Sequence, residues 1–184
     1  RGNNCPMSAP LVYIILVNWN QREVTLECLE SLSQLTYPNF RIVVIDNASQ
    51  DGSPAAIAAR FPEVDHIQHA TNRGSTAGNN TGFLHALKAG ADYMWLLNND
   101  TVVAPDAVDH LVQHCQQAGV GMTSAIVFYA SAPHTVWSAG AMRSKWNLEL
   151  IGDHNRNETF TSAIERDFLT SCALLVKREV IEKI

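Results

Sequence analysis

The sequence lacks an excess of basic charge: 13 Lys and Arg residues stand against 18 Asp and Glu residues, and the net charge is −5. A chain of this charge has no large phosphate-neutralising surface, which argues against nucleic acid as a partner. A nucleotide ligand remains compatible with the charge, because a bound cation supplies positive charge locally. The 46% hydrophobic and 17% charged residues are typical of a globular protein.

Long apolar runs are also lacking. The longest run, Leu11 to Val17, has the length of a strand and is far shorter than the roughly 20 residues that span a bilayer. Residues 1–10 contain no apolar stretch and are interpreted as a disordered tail or a cloning remnant. The predicted location is the cytoplasm, and attachment to the inner face of the membrane stays open, as does the oligomeric state.

The four cysteines form no CxxC pair and no regular spacing; they are Cys5, Cys28, Cys115 and Cys172. This pattern favours free thiols in a reducing cytoplasm over disulfides or a zinc site.

Apolar runs alternate with helical periodicity in the first part of the chain. The predicted strands are Leu11–Val17, Phe40–Asp46, His66–His69 and Tyr93–Leu97. Helical patterns run from Val24 to Leu35, from Asp51 through an Ala-rich stretch, from Gly74 to Ala91 and from Pro105 to Cys115. This alternation predicts an α/β fold with a mostly parallel, Rossmann-like sheet covered by helices on both faces.

The pattern is less regular after residue 119. Strand-like runs occupy Val120–Tyr129, Thr135–Ala139 and Phe168–Val176, and Gly140–Glu165 has the composition of a polar loop. Arg178–Ile184 begins a helix without a stop signal, so we expect the natural protein to continue.

Polar clusters follow the predicted strands. They are Asn18–Asn20, Asp46–Ser49, Asn72–Gly74 and Asn98–Asp100. Ligands of open parallel sheets bind outside the carboxyl ends of the strands, so we expect these clusters to share one edge. Asp46 would accept a hydrogen bond from a nucleotide base or ribose, or cap the following turn. Asp100 would bind Mg²⁺ or Mn²⁺ beside substrate phosphates, or cap the turn that precedes Pro105.

A glycine-spaced segment, Asn72–Gly82, leads into the third predicted helix. Gly74, Gly78 and Gly82 would let a phosphate approach the helix N-terminus near Arg73, or would let the helix pack closely on the sheet. The spacing matches neither GxGxxG nor a Walker loop.

Other chemistry has weak support. His110 and His114 share a helix face without an evident third metal ligand, and a solvated pair is the simpler interpretation. Trp137 and Trp146 would stack on a sugar or lie in the core. No nucleophile elbow supports a hydrolase, and the stretch after the first strand lacks the glycines of a dinucleotide oxidoreductase or a sugar nucleotidyltransferase.

Four segments in this order resemble the family 2 glycosyltransferases, whose fold is GT-A. They are Ile14–Asn20, Val44–Ser53, Asn72–Gly82 and Trp95–Thr101, and Phe168–Arg178 is similar to the family's acceptor-side strand. The resemblance covers nearly all of residues 11–184. The residues of these segments are most similar to those of bacterial rhamnosyltransferase-like enzymes. It implies a single domain, with a nucleotide-binding half at 11–118 and the start of an acceptor-binding half at 119–184.

The resemblance also implies roles for individual residues. Asp46 would contact a uracil- or thymine-like base, Arg73 the base or diphosphate, Asn99 the ribose or sugar, and Asp100 the Mg²⁺ or Mn²⁺ ion. The nucleotide-binding set that it implies is Val17, Asn18, Asp46, Arg73, Gly74, Asn79 and Asn99.

Two departures from the family pattern qualify the expected activity. Asn98 replaces the first acid of the family's DxD-type motif, and the Glu-Asp segment that carries the catalytic base is expected beyond Ile184. The remaining carboxylates do not match that segment, and none is assigned as the base; they are Asp153, Glu158, Glu165 and Asp167.

The expected function is transfer of a sugar, with inversion, from a UDP- or dTDP-sugar, dTDP-rhamnose among them. The acceptor would be a hydroxyl of a saccharide or lipid-linked acceptor in bacterial polysaccharide synthesis. The alternative is a nucleotide- and metal-binding fragment without turnover.

Overall fold

The computed structural model describes residues 9–146, 149–152, 160 and 162–183. Within these ranges the chain forms ten strands and five helices. The strands are β1 (Val12–Asn18), β2 (Phe40–Asp46), β3 (Asp65–Gln68), β4 (Tyr93–Leu97), β5 (Met122–Ser124), β6 (Val127–Tyr129), β7 (Ala132–Ser138), β8 (Ala141–Arg143), β9 (Leu150–Gly152) and β10 (Ala173–Lys177). The helices are α1 (Arg22–Leu32), α2 (Ser53–Arg60), α3 (Gly74–Lys88), α4 (Ala107–Cys115) and α5 (Arg178–Ile181).

The central sheet has six strands in the order β3-β2-β1-β4-β10-β5. β1 lies at its centre and pairs in parallel with β2 and β4, and β2 pairs in parallel with β3. β10 is antiparallel to both β4 and β5. The predicted mostly parallel sheet is therefore confirmed, with antiparallel pairing added by the second half of the chain.

Helices cover both faces of this sheet, which explains the uninterrupted apolar run of β1. Val12, Ile14 and Leu16 join one buried cluster with side chains of α1, α2 and α4. Tyr13 and Ile15 join the opposite cluster, to which α3 contributes. Successive strand residues point to opposite faces, so a central strand buried on both sides has no polar alternation.

The glycines of α3 set how closely this helix approaches β1. A Cβ atom added to Gly78 would lie 2.8 Å from a methyl carbon of Val17, and one added to Gly82 would overlap Ile15. The packing role considered for these two glycines is thus present in the structure.

The second half departs from several expectations. The predicted strand Val120–Tyr129 divides into β5 and β6, which belong to different sheets. The segment Gly140–Glu165, expected as a loop, contains the paired strands β8 and β9. The predicted strand Phe168–Val176 starts only at Ala173, and Phe168 forms an isolated bridge with Ala141. These strands have three to five residues, and tertiary pairing rather than local pattern determines their bounds.

Other sequence expectations concern the chain start, the thiols and membrane spans. Residues 1–8 of the expected tail and Cys5 lie outside the described residues, whereas the carbonyls of Ala9 and Pro10 accept hydrogen bonds from Asn39 and Tyr37. The three described cysteines are buried free thiols. None of the helices in the described ranges combines the length and apolar composition that a membrane span requires.

Candidate functional site

A cleft of about 530 Å³ opens at the carboxyl ends of β1 and β4, beside the N-terminus of α3. Polar residues of five chain segments line it, together with Trp19 and three apolar side chains of the strands. The lining residues are Val17, Trp19, Gln21, Asn47, Asn72, Gly74, Ser75, Asn79, Leu96, Leu97, Asn98, Asn99, Asp100 and Ser171. The cleft lies where the strand-end rule places a ligand in an open α/β sheet.

The structure brings most of the predicted site residues together here. Val17, Gly74, Asn79, Asn99 and Asp100 line the cleft, whereas three other members of the predicted set do not: Asn18, Asp46 and Arg73. Residues that were not singled out also line it, and among them are Trp19, Gln21, Ser75 and Ser171.

Asp46 is fully buried at the end of β2. One carboxylate oxygen accepts a hydrogen bond from the Asn18 amide at 2.8 Å, and the other accepts one from the backbone N–H of Ser49 at 2.8 Å. The turn-capping role considered for Asp46 is therefore present. Contact of Asp46 with a nucleotide base stays a prediction.

Backbone strain accompanies this turn. Ala48 has φ +63° and Asn20 has φ +53°, both in the left-handed region that most side chains avoid. The Ser49 hydroxyl accepts a hydrogen bond from the Asn20 N–H at 2.9 Å, and the Asn20 side chain accepts one from Gln50 N–H at 2.7 Å. These bonds join the loops that follow β1 and β2, and strain held in this way is typical of functional sites.

A buried hydrogen-bond chain extends from Asp46 toward the end of β4. The Thr25 hydroxyl of α1 donates to Asn18 Oδ1 at 2.9 Å, and Asn99 Nδ2 donates to Thr25 Oγ1 at 2.7 Å. Sequence reasoning missed Thr25. The available signal was its place on the apolar face of α1, since a polar side chain buried there requires a partner.

The end of β4 presents its three polar residues differently. Asn98 and Asp100 are exposed, and Asn99 is 7% exposed. No described residue donates a hydrogen bond to the Asp100 carboxylate, and Asp100 is the one acidic residue among the described residues that line the cleft. Its carboxylate is free to bind a ligand.

Two buried thiols lie beneath this segment. Burial, with a smaller contribution from Asp100, raises the pKa of the Cys28 thiol to about 11. Burial also raises the pKa of Cys172, and the Asp100 carboxylate again adds to the effect. Metal binding by cysteine requires the thiolate, so both side chains act here as neutral packing groups. Among residues with a described structure, no group of three or more His, Cys, Asp or Glu side chains is arranged to hold a metal ion.

The N-terminus of α3 also lines the cleft. Its capping position is Arg73, which makes no side-chain capping bond, and Gly74 has φ +79°. The Gly74 N–H donates to Asn72 Oδ1 at 2.8 Å. The amides of the first helical turn have no acceptor within the helix, and together with the helix dipole they favour an anion. The Arg73 side chain is exposed beside the cleft.

Asn47 and His69 hold this helix start in place. Asn47 Nδ2 donates to the Gly74 carbonyl at 3.2 Å, and Asn47 Oδ1 lies 2.8 Å from His69 Nδ1. His69 Nε2 lies 3.0 Å from the Thr81 hydroxyl, about two turns further along α3. The loop after β2 is therefore bonded through side chains to the start of α3.

Of the four carboxylates considered on the acceptor side, two lie in the described part of the chain. Asp167 accepts a hydrogen bond from the Arg143 backbone N–H at 2.7 Å, and Glu165 is exposed. Asp153 and Glu158 lie outside the described residues. None of these carboxylates lines the cleft in the part of the chain that the structure describes, and the base stays unassigned.

The remaining candidate side chains lie away from the cleft. His110 forms an ion pair with Asp106 at 3.3 Å, and His114 lies 3.2 Å from the Gln117 amide. Trp137 is 38% exposed and Trp146 is 98% exposed, so neither is a core residue.

Comparison with known proteins identifies the fold and the family. The model of the family described as Glycosyl transferase family 2 matches residues 13–184. The mannosyltransferase PcManGT from Pyrobaculum calidifontis, solved in complex with GDP-Man and Mn2+, has a TM-score of 0.66 at 22% identity over 97% of this chain and 47% of that chain. S. aureus TarS has a TM-score of 0.55 at 16% identity over 76% and 43% of the two chains. At these identities the likeness shows the fold alone, and the predicted GT-A fold is confirmed.

Sequence relatives point in the same direction. The beta-monoglucosyldiacylglycerol synthase of Trichormus variabilis is 26% identical over 180 residues, which cover 90% of this chain and 38% of that protein. An uncharacterized glycosyltransferase of Haemophilus influenzae is 27% identical over 107 residues, 58% of this chain and 35% of its own length. The chain thus spans less than half the length of these relatives. With the family model matched over residues 13–184, the chain belongs to glycosyltransferase family 2.

Proposed function

We propose that this chain forms the donor-binding part of an inverting glycosyltransferase that takes a sugar from a nucleotide-diphosphate donor. The observation that carries the proposal is a cleft lined both by the Asp100 carboxylate, to which no described residue donates, and by the N-terminus of α3, where Arg73 makes no side-chain capping bond. A carboxylate that binds a divalent ion and a helix start that binds phosphate together suit a diphosphate.

The residues present fit a divalent ion of the Mg²⁺ or Mn²⁺ type. Such ions are commonly held by one or two carboxylates plus substrate phosphates, so Asp100 suffices as the protein carboxylate, and the exposed Asn98 offers an amide oxygen. The related mannosyltransferase fold, solved with GDP-Man and Mn2+, supports this assignment. When bound, the ion would stabilise negative charge on the diphosphate leaving group.

The other proposed donor contacts follow from position. Val17 and Asn79 line the cleft and would contact the nucleoside, and Gly74 would let the diphosphate approach α3. Arg73, exposed beside the cleft, would pair with the diphosphate. Asn18 and Asp46 are buried and do not line the cleft. A nucleotide base would reach them only after a small shift of the strained loop that follows β2.

The donor and acceptor are proposed in narrower terms from the motifs and the relatives. A UDP- or dTDP-sugar, including dTDP-rhamnose, is the donor that the resemblance to rhamnosyltransferase-like enzymes favours, for use in bacterial polysaccharide synthesis. The acceptor would be a hydroxyl of a saccharide or lipid-linked molecule. The name of the relative beta-monoglucosyldiacylglycerol synthase supports the lipid-linked alternative.

A second function, binding of nucleotide and metal without turnover, is favoured by one observation. Asp100, the one acidic residue among the described lining residues, is proposed for the metal and is not available as the base. Deprotonation of an acceptor hydroxyl requires a separate base within hydrogen-bond reach. We propose that this base lies beyond Ile184, in a longer chain, and that the 184 residues alone transfer sugar slowly or not at all.

Calorimetric titration with UDP, dTDP and GDP, each with and without Mn²⁺, tests the donor-site proposal. We expect Mn²⁺ to strengthen the binding of a pyrimidine diphosphate at least tenfold in the wild type. Asp100→Asn keeps the shape of the side chain but removes its charge, so the gain from Mn²⁺ should disappear.

The matched control is Glu63→Gln, which neutralises an exposed carboxylate remote from the cleft. This variant should retain the full effect of Mn²⁺. Equal, metal-independent affinity in the wild type and Asp100→Asn would refute the metal assignment, and preference for GDP would refute the pyrimidine assignment. Rapid sugar transfer by the 184-residue chain would refute the proposed position of the base.

A further inference from the structure

The buried chain Asn99–Thr25–Asn18–Asp46 runs from a residue that lines the candidate donor cleft to the buried acid at the end of β2. Its side-chain hydrogen bonds measure 2.7 Å, 2.9 Å and 2.8 Å in that order. Thr25, Asn18 and Asp46 are fully buried and Asn99 is 7% exposed, so water does not compete for these bonds. The chain crosses from the end of β4 through α1 to the ends of β1 and β2.

The chemistry of each member fixes the direction of the whole chain. Both oxygens of the Asp46 carboxylate accept hydrogen bonds, one from Asn18 Nδ2 and one from the Ser49 N–H, so Asn18 turns its NH₂ group toward Asp46. The Asn18 side-chain oxygen then faces Thr25 and accepts the hydrogen bond that the Thr25 hydroxyl donates. Thr25 Oγ1 is left as an acceptor, so Asn99 must turn its NH₂ group toward Thr25.

This direction determines what Asn99 offers to the cleft. The amide nitrogen is committed to Thr25, and the amide oxygen receives no hydrogen bond from any described residue. Asn99 lines the cleft next to Asp100. A ligand in the cleft therefore meets an acceptor at this position, although an asparagine could by itself present either end of its amide.

We propose that Thr25 is a positioning residue, which holds the Asn99 amide so that its oxygen accepts a hydrogen bond from a ribose hydroxyl of the bound donor. The inference deepens the proposed function and rests on it. Asn99 makes the contact with the nucleotide, and Thr25 acts only through Asn99. The orientation starts at Asp46, which accepts from Asn18 and is three hydrogen bonds away from Asn99.

Substitutions at Thr25 separate the hydroxyl from the shape of the side chain. Thr25→Val keeps the volume but offers Asn99 no acceptor, so the amide is free to rotate and to present its NH₂ group. Thr25→Ser keeps the hydroxyl and should preserve the orientation. The readout is the ratio of affinities for UDP and for 2′-deoxy-UDP or 3′-deoxy-UDP, measured by calorimetry in the presence of Mn²⁺.

In the wild type and Thr25→Ser, loss of the hydroxyl that Asn99 recognises should weaken binding about five- to tenfold, the effect of one hydrogen bond. In Thr25→Val this discrimination should fall to within about twofold, while Mn²⁺ still strengthens binding. A merely structural role would lower the thermal stability of Thr25→Val but leave the ratio unchanged, and an unchanged ratio overturns the proposal. So does a wild type that binds UDP and both deoxy analogues equally.

One further measurement keeps the test decisive if Thr25→Val does not fold. It is hydrogen exchange of the Asn99 side-chain amide in the ¹⁵N-labelled wild type. One protected amide proton supports the hydrogen bond to Thr25, and free exchange of both amide protons overturns the proposal. If the wild type binds no nucleoside diphosphate at all, the proposed function fails. If it binds with Mn²⁺ but Thr25 has no effect on the ratio, only the positioning role fails.

Discussion

The two acids at the candidate cleft have opposite environments. Asp46 is fully buried, and both of its oxygens accept hydrogen bonds within the protein. Asp100 is exposed, and no described residue donates to it. Both follow an apolar strand and look alike in the sequence, so the difference comes from the tertiary surroundings. Asp46 is part of the framework of the site, whereas Asp100 is available for a ligand.

Neighbouring segments explain the contrast. The end of β2 lies between β1 and β3, and the loops after β1 and β2 are bonded through Ser49 and Asn20. The segment after β4 instead bonds back on itself, since the Thr101 hydroxyl donates to the Asn98 carbonyl at 2.7 Å. Asp100 is exposed at that local turn, while residues on either side of it bond to α1: Asn99 Nδ2 to Thr25 Oγ1 at 2.7 Å and Val103 N–H to Ser31 Oγ at 3.1 Å.

The comparison predicts its largest effect on stability at Asp46. Asp46→Ala removes the acceptor of the Ser49 N–H and one of the two acceptors of the buried Asn18 amide, and we expect a loss of about 2–4 kcal/mol in the free energy of unfolding. Asp100→Ala removes an exposed side chain and should change stability by less than about 0.5 kcal/mol. Urea denaturation of both variants without ligand measures the difference.

The same pair of variants should show the reverse order in metal binding. Asp100→Ala should abolish the effect of Mn²⁺ on nucleotide affinity, while any folded fraction of Asp46→Ala keeps it. Equal destabilisation by the two substitutions would show that the contrast in burial has no energetic meaning.

The glycines of α3 extend the comparison to packing, with an intermediate effect. Gly82→Ala places a methyl group against Ile15 in the tightest contact of α3 with β1, and overpacking of this kind costs about 1–3 kcal/mol. Gly74→Ala meets no atom within 4 Å, and its φ of +79° makes the cost about 1 kcal/mol. Thermal and urea unfolding should therefore rank Gly82→Ala as the less stable variant.

Ligand binding separates the two glycines further. Gly74 lines the cleft, so its substitution should weaken diphosphate binding more than its small effect on stability suggests. Gly82 lies away from the lining residues, and Gly82→Ala should bind nucleotide normally at a temperature where it is folded. The opposite ranking would contradict the division between framework and ligand-binding positions.

The sequence predicted the first part of the fold well for a physical reason. β2 and β4 have the predicted bounds, and β1 differs by one residue at each end, because strands buried on both faces leave long apolar runs. The short strands after residue 119 were merged, missed or displaced. Their pairing depends on partners far along the chain, as with Ala141 and Phe168, and three residues carry too little pattern to identify a strand.

The candidate site divides in the same way. Strand ends and helix starts are visible in a sequence, and so Gly74 and Asp100 were found. A sequence does not show whether the oxygen or the nitrogen of a side-chain amide is already hydrogen-bonded, because this depends on tertiary contacts such as that of Thr25 with Asn99. Thr25 lies on the buried face of α1, whose other buried residues are Leu or Cys, and sequence reasoning missed it for that reason.

A third acid, Asp65, tests whether hydrogen bonding alone separates the two cleft acids. It begins β3, far from the cleft, and accepts hydrogen bonds from the Tyr13 hydroxyl and from His85 Nε2, the latter at 2.9 Å. Burial favours the protonated acid, but these hydrogen bonds outweigh it and lower the pKa of Asp65. Burial, with Asp65 adding to it, raises the pKa of Tyr13 to about 12.

The two pKa shifts predict how the stability of the protein depends on pH through Asp65 and Tyr13, and this is the smallest of the predicted effects. The lowered pKa of Asp65 contributes stability above its unfolded value near 4, and this is lost as the pH falls further. The raised pKa of Tyr13 contributes stability below about 10, which is lost as the pH rises toward 12. Urea unfolding across this range should show a weakened acid limb in Asp65→Asn and a weakened alkaline limb in Tyr13→Phe. Because the pair is remote from the cleft, neither variant should alter nucleotide binding at pH 7; a change there would show that hydrogen-bonded acids outside the cleft also shape the donor site.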